Sequence, residues 1–374
     1  MLFETVIISL VISLAFLVYE KAGLNRNIKK LKVRVLVTGT RGKSTVTELI
    51  RAGLSSKYSA VSKVTGTIPE ITYPDGTVSV IRRKGGARVQ EQIRTIRNAV
   101  LAKADCLSLE CMSVTPALLQ LETHILRPQI FVITNIRNDH REHLGTNPDL
   151  HYQYYCAAIP QNSVVFTADE INFVHIDTAA KAKNSRAVLA VNDAAMDNAD
   201  IRNKTLAEAV CAYLGVDGKE EIAKCSENKG KSGGLIRLRS GASLIDLFSA
   251  NDIDSTLKEL EALPGYDEFT SISVVLNSRS DRPLRSDDYI KWMAELKKLG
   301  RIFLLGSHSG YVKRNLIRKG VEVENVFRLS PEKAAADLGS SAENGGLIVT
   351  VGNIKGEGFE FMEHIQNYRI AENK

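Results

Sequence analysis

The chain has 374 residues, enough for two domains, and its 44% hydrophobic and 25% charged content excludes wholesale disorder. The net charge of +6 is modest, and much of it falls on Lys21, Arg26, Lys29, Lys30, Lys32 and Arg34, directly after the only long apolar run. That placement bears on membrane topology before nucleic acid, and no nucleic-acid partner is expected. The five cysteines form no Cys-x-x-Cys pair, which argues against a disulfide framework or zinc knuckle and fits a reducing cytoplasm.

Leu2–Tyr19 is apolar apart from Glu4 and two serines and is just long enough to span a bilayer, so residues 1–20 read as a transmembrane anchor and 21–32 as a basic juxtamembrane linker. A cleavable signal peptide fits poorly, because the basic cluster follows the apolar run and no small-x-small site closes it. The Lys/Arg excess predicts an outside N-terminus and a cytoplasmic body in the cell membrane. From Val33 the pattern alternates strands and helices, as in a parallel sheet covered by helices. Buried central strands are predicted at 33–38, 106–109, 130–134, 163–167 and 187–191, with helices at 43–54, 91–102, 115–121 and 204–214. Glycine and polarity rise through 217–234, which predicts a boundary and hinge, with domains at 33–232 and 233–374. The second series has strands at 243–248, 271–276, 301–305 and 346–351 and helices at 254–263, 288–299 and the C-terminus. The fold class is α/β, a P-loop domain with a parallel sheet followed by a smaller Rossmann-like α/β domain.

Val35–Leu36–Val37–Thr38–Gly39–Thr40–Arg41–Gly42–Lys43–Ser44–Thr45 reads as a strand ending in a glycine turn that opens into a helix. Backbone N–H groups at such a turn suit the phosphates of ATP, with Lys43 neutralising the β- and γ-phosphates and the Ser44 hydroxyl holding Mg²⁺. The first glycine of the common Walker form would fall at Val37, so this is a variant loop. No guanine-reading motif accompanies it, since Asn203–Lys204–Thr205–Leu206 lacks the aspartate. Glu110 ends a predicted strand, where sites in parallel sheets lie, although an ion-pair or capping role suits it equally. Thr134–Asn135–Ile136–Arg137–Asn138–Asp139–His140 follows another predicted strand.

The loop Gly39-Thr-x-Gly-Lys-Ser-Thr45, Glu110 and the Thr-Asn-x-x-x-Asp-His run occur in the order found in the central domain of Mur-ligase-like enzymes, which the chain resembles. The resemblance implies an ATP-dependent amide ligase with Glu110 and His140 as ligands of a second Mg²⁺ and Asp139 beside them in the nucleotide site. It also implies that Asp246 and Asn251 contact nucleotide and that Arg237 closes on the phosphates. Lys63–Thr67, Glu110–Met112, Ala250–Asp252, Asn277–Arg282 and Val351–Gly358 are similar to the poly-γ-glutamate synthase branch, PgsB or CapB. That branch implies glutamate joined through γ-carboxyl linkages by way of an acyl phosphate, a capsule-type polymer, and small membrane subunits as partners. Tyr152–Ile159 holds no lysine where Mur and folylpolyglutamate enzymes carry a carbamylated one, which also fits this branch.

On the acceptor side the candidates are Thr65, Thr67, Arg82, Arg83, Arg88 and Arg282. The loop Arg82–Arg88 sets four basic side chains around two glycines, a composition suited to an anionic polymer or free glutamate, and equally to a solvated hairpin turn. Asp281 and Arg282 shape the acceptor pocket or pair with each other. Rival readings are a membrane-bound P-loop phosphotransferase or NTPase and a non-catalytic nucleotide-binding scaffold.

Overall fold

The computed structural model describes residues 2–66, 68–83, 85–113, 115–137, 144–145, 147–191, 198–228, 235–250, 252–342 and 344–370. The chain forms two compact units, Met1–Lys229 and Gly230–Lys374.

The first unit opens with helix α1 (Leu2–Lys30), which runs without a break through the basic stretch expected to be a linker. Its apolar turns are exposed, while Ile28 is buried in the body and Leu24 packs against the same cluster. Strand β1 (Val33–Thr38) leads to α2 (Lys43–Leu54), then β2 (Ala60–Val64), β3 (Glu70–Thr72), β4 (Val78–Val80), α3 (Gln90–Leu101), β5 (Cys106–Glu110), α4 (Pro116–Leu126), β6 (Ile130–Ile133), β7 (Val164–Thr167) and β8 (Arg186–Leu189). These strands make one eight-stranded sheet in the order β4-β3-β2-β5-β1-β6-β7-β8. All pairings from β2 to β8 are parallel, and only β3 runs against its neighbours.

Successive side chains on a strand point to opposite faces, and β1 divides accordingly. Val33, Val35 and Val37 join the hydrophobic cluster under α2, while Leu36 joins the cluster under α3 and α4. Both faces are covered, which is why the central strands are apolar throughout. Helix α2 presents Val46, Leu49, Ile50 and Leu54 to the sheet at helical spacing. At the sheet's edge the expectation of buried central strands fails, because β8 is an edge strand with Arg186 exposed.

The second unit contains β9 (Leu235–Arg237), β10 (Ser243–Asp246), β11 (Ile272–Ser278), β12 (Leu299–Gly306), β13 (Val326–Phe327) and β14 (Leu347–Gly352). They form a six-stranded sheet, β13-β12-β11-β14-β10-β9, parallel except for β9. Helices at Ile253–Glu261, Pro283–Glu295, Ser309–Arg318, Pro331–Ser341 and Glu357–Ile365 cover it. The helix expected over 288–299 begins earlier, at Pro283, whose fixed φ suits a first helical turn, and ends at Glu295. The strands at β2, β3, β4, β9 and β13 and the helices at Ser309–Arg318 and Pro331–Ser341 were not predicted from the sequence.

Candidate active site

Between the end of β1 and the start of α2 the chain must turn sharply. Gly39 does so at φ 123° and Gly42 at φ 79°, in the left-handed region that glycine enters without steric cost. Neither position has room for a side chain: a Cβ on Gly39 would meet Thr134, and one on Gly42 would lie 2.6 Å from Asn203 Oδ1. Helix α2 starts at once, with Val46 N–H donating to Gly42 O at 2.9 Å, so the turn carries the positive end of a helix. Such a turn is suited to an anion.

The loop is braced from β6. Thr40 N–H donates to Asn135 O at 2.8 Å, Arg41 N–H to Asn135 Oδ1 at 3.1 Å, and Thr134 Oγ1 and Asn135 Nδ2 both donate to Arg41 O, at 2.6 and 3.1 Å. Arg137 N–H closes the set on Thr40 Oγ1 at 2.9 Å. Lys43 folds over the turn, its Nζ donating to Gly39 O at 2.7 Å and Thr40 O at 3.1 Å. The Thr-Asn pair, read in the sequence only as the start of a run leading to the histidine, is thus the brace of the phosphate loop.

Glu110, the last residue of β5, is 3% exposed. Its Oε2 accepts from Ser44 Oγ at 2.8 Å and from Thr65 N–H at 2.6 Å. A Cβ on Gly66 would come within 2.9 Å of Ser44 Oγ, so the glycine keeps this spot open. A hydroxyl and a carboxylate in contact are hard oxygen donors of the kind Mg²⁺ takes, and the residues present fit that ion. Among the described residues no group of three or more His, Cys, Asp or Glu side chains gathers to hold a metal. Asp139 and His140 lie outside the described residues, as do Thr67 and Asn251.

Under Glu110 lies a polar layer that the sequence did not reveal. Lys63, on β2, is fully buried, with its Nζ 3.0 Å from Gln92 Oε1 and 3.5 Å from Glu91 Oε2. Burial pushes its pKa below the usual lysine range, against the pull of Glu91 and Glu122. Burial works to raise the Glu91 carboxyl, but the Arg83 hydrogen bonds and the Lys63 charge hold it below the usual range. Glu122, also fully buried, accepts from Gln92 Nε2, Met112 N–H and Ser113 N–H at 2.6 to 3.1 Å. Cys111 is buried beside Glu122, which pushes its thiol well up and makes it a poor nucleophile.

Of the basic loop, Arg83 is held by Glu91 in a two-point pair at 2.8 and 2.9 Å, while Arg82 and Arg88 are exposed. In the second unit Asp246 ends β10, its Oδ1 accepting from Thr350 Oγ1 at 2.8 Å and Phe248 N–H at 3.1 Å. Arg237 is exposed on β9. Arg282 lines a small cleft at the ends of β11 and β14, with Arg279, Arg285, Asn277 and Asn353. Asp281 takes Arg279 in a two-point pair at 2.6 and 2.8 Å, and these bonds hold its carboxyl below the usual range.

Residues 37–215 match the family described as the Mur ligase middle domain, and residues 236–368 match the poly-gamma-glutamate synthase CapB C-terminal domain. The chain is 26% identical to the PGA synthase CapB of Bacillus subtilis (strain 168), over 98% of each protein. It is 25% identical to the capsule biosynthesis protein CapB of Bacillus anthracis, over 95% of this chain and 81% of that one. Its fold is similar to that of Mycobacterium tuberculosis folylpolyglutamate synthase complexed with ADP (TM-score 0.66, 13% identity, 94% of each chain). The same holds for Thermotoga maritima MurF ligase in complex with ADP (TM-score 0.61, 14% identity, 93% of this chain and 84% of that one). With the Mur ligase middle domain model on the first compact unit, the CapB C-terminal domain model on the second and two relatives matched along most of its length, the chain is similar to the CapB proteins in both units and is an ATP-dependent ligase.

Proposed function

We propose that this chain polymerises glutamate through γ-carboxyl linkages, forming ADP and passing through an acyl phosphate. The observation that carries the reading is the 2.8 Å contact of Ser44 with Glu110, which joins the phosphate loop on β1 to an acid at the end of β5. ATP occupies Gly39, Thr40, Arg41, Gly42, Lys43, Ser44 and Thr45, with Asp139, Asp246 and Asn251 as further nucleotide contacts. A terminal carboxylate oxygen of the acceptor attacks the γ-phosphorus and ADP leaves. The glutamate amine then attacks the acyl carbonyl, phosphate departs, and the amine loses a proton. Lys43 and Arg237 balance the charge that builds on the transferring phosphoryl group. Ser44 would hold one Mg²⁺, and Glu110 and His140 a second, which together would supply charge neutralisation on the phosphate oxygens.

Arg82 and Arg88 are exposed cations suited to the anionic acceptor, and Thr65 lies at Glu110 by its backbone. Thr67, Arg83 and Arg282 complete the proposed acceptor side, with Arg83 acting through its hold on the loop. Among the described residues α1 is the one helix long and apolar enough to cross a membrane, with mean hydropathy 1.9. We assign it as a single-pass anchor with the ligase units cytoplasmic and small membrane subunits beside it. The test supplies membranes carrying the chain with ATP and labelled glutamate. Glutamate-stimulated ADP release, with labelled product degraded by a γ-glutamyl hydrolase, supports the reading, and ADP release indifferent to any amine sinks it.

A further inference from the structure

Lys63 stands out because the fold meets a large cost to enclose it. An ammonium with no exposed surface loses its hydration, and one well-packed apolar side chain would be the cheaper occupant of that space. The surroundings show what the charge arranges. Gln92 receives Lys63 Nζ on its amide oxygen at 3.0 Å. Its NH₂ group must then face the other way, where it donates to Glu110 O at 3.1 Å and to Glu122 Oε2 at 2.6 Å. Reversing the amide would set its oxygen against two acceptors and its NH₂ against a cation, so the ammonium fixes the orientation of Gln92. Lys63 Nζ also reaches Met112 Sδ at 3.1 Å, and Glu122 takes the N–H groups of Met112 and Ser113. The segment that follows Glu110 is therefore gripped from below at its carbonyl and at its next amides. On its other side Lys63 pairs with Glu91, which holds Arg83 of the basic loop at two points. Two cations, Lys63 and Arg83, face two carboxylates, Glu91 and Glu122, so the layer is charge-balanced without Glu110.

We propose that Lys63 is a positioning residue: through Gln92 it sets the strand end that presents Glu110 to Ser44, and through Glu91 it ties that strand end to Arg83 of the acceptor loop. The inference rests on the reading of Glu110 as a ligand of the divalent cation. Its physical warrant is that partners one bond removed from a metal ligand fix the ligand's geometry, and their loss weakens metal binding about 10- to 100-fold.

The test uses the full chain in detergent micelles, with Mn²⁺ as the probe and a non-hydrolysable ATP analogue present, reading free Mn²⁺ by electron paramagnetic resonance. The variants are Lys63→Met with Glu91→Gln, which removes one charge of each sign, and separately Gln92→Met, which leaves the ion pair intact. Cooperative melting reports that each is folded. The expected result is Mn²⁺ binding weakened about tenfold or more in both. Glu110→Gln separates the two levels of the account. Unchanged Mn²⁺ binding in Glu110→Gln overturns the metal reading itself. Weakened binding in Glu110→Gln, together with parental binding in either folded layer variant, overturns the role given to Lys63.

Discussion

The proposed function gives Lys43 and Glu110 different work. On that proposal the lysine meets phosphate charge and the glutamate meets the cation, so their loss should differ in kind. Lys43→Ala is expected to lower kcat about 10²- to 10³-fold at saturating Mg²⁺, as when a preorganised charge partner of a transition state is removed. Glu91 gives a prediction in pH. Its folded pKa is lowered, so its contribution to stability is complete above the ordinary glutamate value of about 4.3 and is lost as pH falls through the lower folded value. Thermal melts of Glu91→Gln against the parent should show a deficit of about 1–3 kcal/mol at neutral pH that shrinks below about pH 4. A deficit constant down to pH 3 would contradict the Arg83–Glu91–Lys63 arrangement. At this scale the sequence was informative where a residue's chemistry and its place at a strand end coincide. Glu110 was legible because a strand-end acid is conspicuous. Lys63 was not, because nothing in a lone lysine announces that Gln92 and Glu91 await it in the interior.

The same cause acts on whole elements. Strand β2 escaped the sequence reading because Ser62 and Lys63 interrupt its apolar run, yet both are fully buried. Ser62 Oγ donates to Glu48 at 2.5 Å and Lys63 to Gln92, so polar side chains meet polar partners and the strand remains interior. By contrast β1 and α2 were read with the bounds they adopt, because the valine-rich run, the glycine turn and the helical spacing agree. The turn between them supplies a sharper test. Gly42→Ala places a Cβ at φ 79° and 2.6 Å from Asn203 Oδ1, so both strain and contact oppose it. The expected result is ADP binding weakened about tenfold or more by calorimetry, consistent with roughly 1–3 kcal/mol of backbone strain. Adding Asn203→Ala should recover only part of that loss, because it removes the contact and leaves the dihedral. Full recovery would show that the left-handed turn is not required.

For the molecule as a whole, the alternation of strands and helices was enough to read two α/β units, since parallel sheets need crossover helices and both leave periodic traces. The carboxylates Glu110 and Asp246 each end a parallel strand, and the phosphate loop follows a third, where sites in such sheets are found. What sequence could not show is which basic side chains remain available. Arg83 looks the same as Arg82 and Arg88 on the page, but the fold gives it to Glu91. At this scale the anchor reading of α1 predicts that an alkaline carbonate wash leaves the chain in the membrane pellet, and that deleting residues 2–19 moves it to the supernatant.

The central claim, a carboxylate activated as an acyl phosphate before amide formation, is tested most directly by following oxygen. The acceptor's terminal carboxylate is labelled with ¹⁸O and incubated with glutamate, ATP and membranes carrying the chain, and the phosphate released is analysed by mass spectrometry. The account predicts ADP as the nucleotide product and one ¹⁸O atom transferred to inorganic phosphate for each amide bond formed. AMP with pyrophosphate, or phosphate free of label while polymer accumulates, would contradict it.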